Sequence, residues 1–322
     1  MTNKCFIHIG AEKCGSTTIQ KSLEINHKIL KKNKILSPRG LGRDNSPLNH
    51  TKLVVLSYED NHKDDLTEYF FCKQKKEDFI KNCQKQIKLK ENLIKANNFS
   101  IILSAEHFSS RLKGNRIGNF KKLINNFSSN FKIILIVRNQ IDWHISAYNT
   151  YVRCGGKKSL EEWLEISIRQ KSADWYLKIS SWLKYFKEEN ISVLPLRDNF
   201  TNISLENRFY KSCEISQDIL KDFEKPARMN ESLNSYLLEK IRIINNKMPW
   251  MIEGLINKER IRAIEIEKKI FEEKTEIQKE DLLNNLKFID YELKDYIKNA
   301  YKENNLNLFK KFPHLEMEIE SF

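Results

Sequence analysis

The residues best equipped for chemistry lie near the N-terminus, in Gly10-Ala-Glu-Lys-Cys-Gly-Ser-Thr17. A nucleoside-triphosphate loop reads G-x-x-x-x-G-K-[ST]. Gly10 and Gly15 keep that spacing and Thr17 keeps the hydroxyl, but Ser16 stands where the Lys should be and the nearest lysine, Lys13, lies inside the loop. Glycines let backbone N–H groups approach phosphate oxygens, and a following helix adds partial positive charge at its N-terminus. Ser16, Thr17 and Thr18 supply hydroxyl donors, and Lys13 can bring charge to a bridging oxygen. The competing reading is an ordinary strand–helix turn. Strand, spacing, three hydroxyls and helix together favour phosphate binding.

Two further groups stand behind apolar runs. Arg138 follows Ile133-Ile-Leu-Ile-Val137 and has the fork geometry for a bidentate phosphate contact, with Ser146 two helical turns on. Pairing of Arg138 with Asp142 is the structural alternative. Glu106 and His107 follow Ile101-Ile-Leu103, and either can serve as a general base. Alternatively Glu106 pairs with a nearby base and His107 is a packed surface residue.

The elements that must position these groups are read from hydrophobic periodicity. Residues 5–9, 101–103, 133–137 and 191–194 are short apolar runs expected as buried strands. A short extended piece ends at 37–40. Helices are expected over 17–32, 77–97, 119–127 and 159–189, and the chain from 231 to about 311 reads as helical and heavily charged. Residues 41–75 are polar and irregular. Strands alternating with helices predict an α/β fold, a three-layer α/β/α arrangement around a central parallel sheet. Ligands of such sheets bind at the carboxyl ends of the strands, which selects the loops 10–18, 104–110 and 138–146.

Composition sets wider bounds. The chain has 322 residues, 31% charged and 40% hydrophobic, which suits a globular protein. Its net charge of +13 suits anionic partners, although a Lys-, Asn- and Ile-rich composition can also reflect codon bias. The six cysteines are scattered with no C-x-x-C pair, so zinc and dithiol chemistry have no support and no metal is expected. No apolar run reaches the ~20 residues of a membrane span, and nothing at the N-terminus resembles a signal peptide. The expectation is a cytoplasmic protein.

Cys5-Phe-Ile-His-Ile-Gly-Ala-Glu-Lys-Cys-Gly-Ser-Thr-Thr-Ile-Gln20 resembles the 5′-phosphosulfate segment of the PAPS-dependent sulfotransferases, bacterial carbohydrate type, where PAPS is 3′-phosphoadenosine 5′-phosphosulfate. Residues 136–153 resemble their 3′-phosphate segment, 102–109 the strand-then-acid segment, and Asn230-Glu-Ser-Leu233 a later element near the nucleotide. The resemblance implies a P-loop-like core over 1–235, with 41–75 an acceptor-site insertion, and a helical C-terminal extension over 236–322. It implies PAPS as co-substrate, with adenosine 3′,5′-bisphosphate as product. Lys13, Cys14, Gly15, Ser16, Thr17 and Thr18 would hold the 5′-phosphosulfate, and Arg138 and Ser146 the 3′-phosphate. Asn230 and Ser232 would lie near the nucleotide. Glu106 would be the base, with His107 the second choice and Lys13 stabilising the leaving group. A carbohydrate or glycoconjugate would be the acceptor.

Cys14 and Ser16 stand where the family tends to carry Thr, Gln140 where it carries Pro, and Trp143 where Arg is frequent. Trp143, Trp163, Trp175 and Trp182 could offer sugar-stacking faces, although helix packing also explains the last three. The tail could complete an acceptor groove, form a homodimer surface or be a solvated extension. A P-loop kinase using ATP is the first rival, lacking the Lys after Gly15. A non-catalytic polyanion binder is the second, and the interleaved Lys and Glu of 255–310 read instead as a solvated helical surface. No nucleic-acid-binding motif is readable.

Overall fold

The strand Phe131–Val137 (β4) shows why the sheet is parallel: every residue but Lys132 is buried, so both faces need cover. In this computed structural model, which describes residues 3–44, 46, 48–72, 74–197, 203–226, 233–252, 255–285 and 290–315, Cys5–His8 (β1), Ile35–Leu36 (β2), Ser100–Ser104 (β3), β4 and Ile191–Pro195 (β5) form one sheet in the order β2-β3-β1-β4-β5. All four pairings are parallel, with Ile7 aligned to Leu103 on one side and Ile133 on the other. The connection after β1 runs to β2 and the one after β4 runs to β5, in opposite directions. The point where they diverge is the crevice in which open α/β sheets take ligands. Helices flank the sheet, so the α/β class is as expected. β1 is the middle strand, and β4 lies inside the sheet between β1 and β5.

The chain divides into two compact units. The first is Met1–Arg138, Trp175–Met229 and Leu308–Phe322. It carries the sheet and the helices Ser16–Ile25 (α1), His27–Lys32 (α2), Thr51–Val55 (α3), Asp65–Phe71 (α4), Lys76–Asn97 (α5), His107–Arg111 (α6) and Asn115–Ile124 (α7). The second is Asn139–Asp174 and Asn230–Asn307. It carries Gln140–Arg153 (α8), Leu160–Arg169 (α9), Ser235–Lys247 (α13), Lys258–Glu272 (α14), Glu276–Asn285 (α15) and most of Tyr291–Lys311 (α16). Trp175–Leu183 (α10), Leu205–Ser212 (α11) and Gln217–Leu220 (α12) return to the first.

Two expected helices are broken, each for a local reason. The helix expected over 17–32 divides at Asn26, which is buried: its side-chain amide donates to the Glu224 carbonyl (2.9 Å) and its carbonyl accepts from the Glu224 N–H (2.9 Å). The helix expected over 159–189 ends at Arg169 because Lys171 turns left-handed (φ 54°), its N–H returning to Ile168 O. The segment 41–75, read as irregular, contains α3 and α4, the latter capped reciprocally by Asp64 and Thr67. The helical reading of 231–311 misses a hairpin at 251–256. Trp175 and Trp182 are core residues and Trp143 is buried, so these three side chains serve packing. No described helix is long and apolar enough to cross a membrane.

Three histidines are buried within the units. His8 shares a hydrogen bond with Ser104 Oγ (2.9 Å), linking β1 to β3. His50 Nδ1 accepts from the Ser104 N–H and its Nε2–H donates to the Pro38 carbonyl, both at 3.0 Å. His144 Nε2 meets Tyr301 Oη at 3.1 Å. Burial lowers their pKa values, to about 3 for His8 and about 4 for His50 and His144. The unfolded chain therefore binds protons that the folded chain refuses. Stability from these groups is full above pH ~6.5 and is lost as pH falls, by about 1.4 kcal/mol per unit per histidine. Urea unfolding at pH 7 and pH 5 should show that decline, and equal stability at the two values would contradict it.

Candidate active site

The loop between β1 and α1 is a tight turn whose shape the glycines permit. At Gly10 a Cβ would lie 2.5 Å from Ser16 Oγ and 3.3 Å from Glu106 Cα, so the turn after β3 packs directly on the loop. Gly15 is left-handed (φ 81°), and a Cβ there would meet the side chains of Leu205 and Leu196 at 2.6 and 2.9 Å. Lys13 is also left-handed (φ 61°) without being glycine, a cost of order 1–2 kcal/mol that the surrounding contacts must hold. Gly15 gives α1 no side-chain cap. Gly15 thus offers the first-turn N–H groups of Ser16, Thr17 and Thr18 no capping side chain, which leaves the partial positive charge of α1 available to an anion. Ser16 is buried, Thr18 half-buried and Thr17 exposed.

The segments that follow two neighbouring strands, β3 and β4, are stitched to this loop. Ser109 Oγ donates to the Gly10 carbonyl at 2.8 Å, tying α6 to the loop. Arg138 Nη1 donates to the Lys13 carbonyl at 3.3 Å. The Arg138 carbonyl accepts from Trp175 Nε1 at 2.8 Å, which fixes the end of β4. The Glu106 carboxylate accepts from the Lys13 backbone N–H. Lys13, Gly15, Ser16, Thr17, Thr18, Glu106, His107 and Arg138 are thus carried by neighbouring loops at one end of the sheet. The Cys14 thiol is fully buried, and its N–H donates to the Ala11 carbonyl (3.2 Å), closing the turn.

Ser146 lies on α8 in the second unit, a half-buried residue beyond the Asn139 cap, whose Oδ1 accepts from Ile141 N and Asp142 N. Asn230 and Ser232 lie outside the described residues. Neither the Ser109 bond nor the Trp175 bond, the latter from a residue read as a stacking or packing face, is legible in the sequence, because both act on backbone carbonyls that no motif records.

The electrostatics separate the acids and bases. Burial raises the Glu106 carboxyl pKa, and nearby Glu12 adds to this, while Lys13 charge and the Lys13 N–H oppose it. Burial lowers His107, so its neutral form is favoured, and its Nδ1 is buried without a hydrogen-bond partner. Burial also pushes the Cys14 thiol up despite the positive charge of Arg138 and Lys178, which keeps it protonated. A desolvated carboxylate that still ionises is a stronger base than one in water.

The arrangement offers an anion cradle with one lysine in the loop, one arginine beside it and two candidate bases. The residues fit a phosphate-bearing ligand, since the uncapped helix end and Lys13 supply donors and charge together. In comparison with known proteins, the family model described as Sulfotransferase domain matches residues 4–206. No curated protein matches the chain. Among solved structures, a sulfotransferase from Alicyclobacillus acidocaldarius is similar at 16% identity, covering 59% of this chain and 72% of that one with a TM-score of 0.37, a likeness too weak to bear on the fold by itself.

Glu106 supplies a test of this electrostatic account. Its raised pKa means that the folded chain holds the carboxyl proton more tightly than the unfolded chain. Its contribution to stability is full below the ordinary carboxylate range near pH ~4.3 and is lost as pH rises through the raised value. Glu106→Gln keeps an oxygen for the Lys13 N–H and removes the ionisation. The variant should melt above wild type at pH 8, with the gain shrinking toward zero at pH 4. A pH-independent difference would show that burial of the charge is not the cause.

Proposed function

The chain belongs to the sulfotransferase domain family, and from that premise we propose that it moves the sulfuryl group of PAPS to a hydroxyl, less readily an amine, of a carbohydrate or glycoconjugate. The observation that carries this reading is the α1 N-terminus without a side-chain cap, with Lys13 in the loop before it and Glu106 and Arg138 bonded to that loop. Lys13 and the first-turn amides would hold the phosphosulfate, with Ser16, Thr17 and Thr18 as donors. Arg138 is assigned to the 3′-phosphate. The assignments of Ser146, Asn230 and Ser232 rest on the sequence resemblance alone, and the same is true of a core over 1–235 with a separate extension.

In the proposed step the acceptor oxygen forms a bond to sulfur as the bond from sulfur to the 5′-phosphate oxygen breaks. The electron pair leaves on that phosphate oxygen, where Lys13 stabilises it, and the acceptor proton goes to Glu106. A sulfuryl group carries less negative charge than a γ-phosphoryl group, so hydrogen-bond donors and one lysine can do what a lysine and Mg²⁺ do in kinases. That is a physical reason for the lysine to sit in the loop instead of after Gly15.

His107 is the second reading for the base, favoured by its buried, unpartnered Nδ1. The segment 41–75 is proposed as the acceptor side. A cavity of about 180 Å³ there is lined by Tyr58, His62, Thr67, Phe71 and Phe79 among others, a mixture of ring faces and polar atoms that suits a sugar.

Turnover with labelled PAPS and simple sugar acceptors tests the assignment of the base. Glu106→Gln should lower kcat by about 10²–10⁴-fold, the range typical of a general base, with nucleotide affinity kept. Full turnover in that variant together with an inactive His107→Gln would transfer the role to His107. Lys13→Ala should lower kcat more than it raises KM for PAPS, since its charge matters most as the leaving group forms.

A further inference from the structure

The second unit raises an apolar hairpin into solvent. Met251–Ile252 (β6) pairs antiparallel with Leu255–Ile256 (β7), and all four side chains are exposed, Leu255 to 75%. Trp250 at the foot of the hairpin and Ile261, one turn into α14, are exposed as well. A two-stranded ribbon with no face on a core is marginal by itself. Soluble surfaces scatter their apolar residues singly, and a contiguous cluster marks an interaction site.

The hairpin stands on a rigid foot. Buried Asn257 donates its N–H to the Trp250 carbonyl and its side-chain amide to the Pro249 carbonyl, both at 3.0 Å. Its Oδ1 caps α14 by accepting from Glu259 N and Arg260 N. Buried Arg260 donates to Asn245 Oδ1 (2.8 Å) and to the Arg153 carbonyl (3.1 Å). Asn245 in turn donates to the Val152 and Gly156 carbonyls, each at 2.7 Å. A Cβ at Gly155 would lie 2.6 Å from Trp250 Cβ, so the backbones are in close contact. A buried arginine–asparagine network therefore fixes a structure whose apolar end makes no use of it inside this unit.

The chemistry of the surroundings selects the occupant. The two strands have two residues each, and an edge that short offers little to a second copy by strand pairing. Lys247, Lys258 and Arg262, all exposed, flank the hairpin, and the acids in the same stretch are Glu253 and Glu259. The whole chain carries +13. Tryptophan and aliphatic side chains with exposed lysine and arginine close by in the chain, outnumbering the acids, are the composition of an anchor seated in the headgroup layer of an anionic bilayer. We propose that this hairpin docks the protein on an anionic lipid surface by inserting Trp250, Met251, Ile252, Leu255 and Ile256 between headgroups. This inference does not depend on the sulfuryl-transfer reading.

Co-sedimentation with vesicles of phosphatidylcholine, with and without phosphatidylglycerol, tests it. The full chain should bind the anionic vesicles, weakly or not at all the neutral ones, and less as salt rises. Ile252→Asp combined with Leu255→Asp should lower partition at least about tenfold, with the melting temperature unchanged. If that variant does not fold, quenching of wild-type fluorescence by brominated lipid decides, since the quenched signal should vanish in a folded Trp250→Phe chain. Equal partition of wild type and variant, or a wild-type chain that ignores anionic vesicles, would overturn the proposal. So would a wild-type dimer in sedimentation velocity that the same substitutions dissociate without any vesicle binding.

Discussion

The turn from β1 into α1 is the constraint on which the site depends. The chain must leave a strand buried on both faces, pass left-handed at Lys13 and Gly15, and enter a helix with no side-chain cap. A non-glycine residue in that conformation is held only by its surroundings. Here they are specific: Ser109 on the Gly10 carbonyl, Arg138 on the Lys13 carbonyl, and Glu106 on the Lys13 N–H. Each comes from the end of a neighbouring strand. The parallel sheet, by fixing the order β3-β1-β4, is what brings the three to one loop.

The same packing sets the chemistry. Glu106 is close enough to the loop to be desolvated, which raises its proton affinity, yet it keeps one N–H donor that favours the charged form. Cys14, where the family tends to carry a hydroxyl, is withdrawn into the core and stays a thiol. In the proposed reading Ser16, Thr17, Thr18, the amides of the first turn and Lys13 would form the cradle. In the proposed reaction the Lys13 ammonium, in the loop instead of after Gly15, would stabilise charge on the leaving group.

Much of this was legible in the sequence because the strands are uniformly apolar and the loop has fixed spacing. Residues 101–103 and 133–137 announce β3 and β4, and the residues just beyond them are Glu106 and Arg138. What was illegible has a common cause. The break at Asn26 comes from bonds to Glu224, 198 residues away, and the stitches on Gly10 and Lys13 span 99 and 125 residues. Bonds to backbone carbonyls at such separations leave no pattern in residue types. The hairpin at 251–256 was hidden differently: four apolar residues within a charged helical stretch carry no strand alternation long enough to read.

The measurement that bears most directly on the central claim is calorimetric titration of the full chain with adenosine 3′,5′-bisphosphate, beside ATP with Mg²⁺. The account predicts metal-independent binding of the bisphosphate, weakened about 10–100-fold in Arg138→Ala through loss of a charge-assisted contact. ATP binding that requires Mg²⁺, with no binding of the bisphosphate, would contradict it and make the loop a triphosphate site.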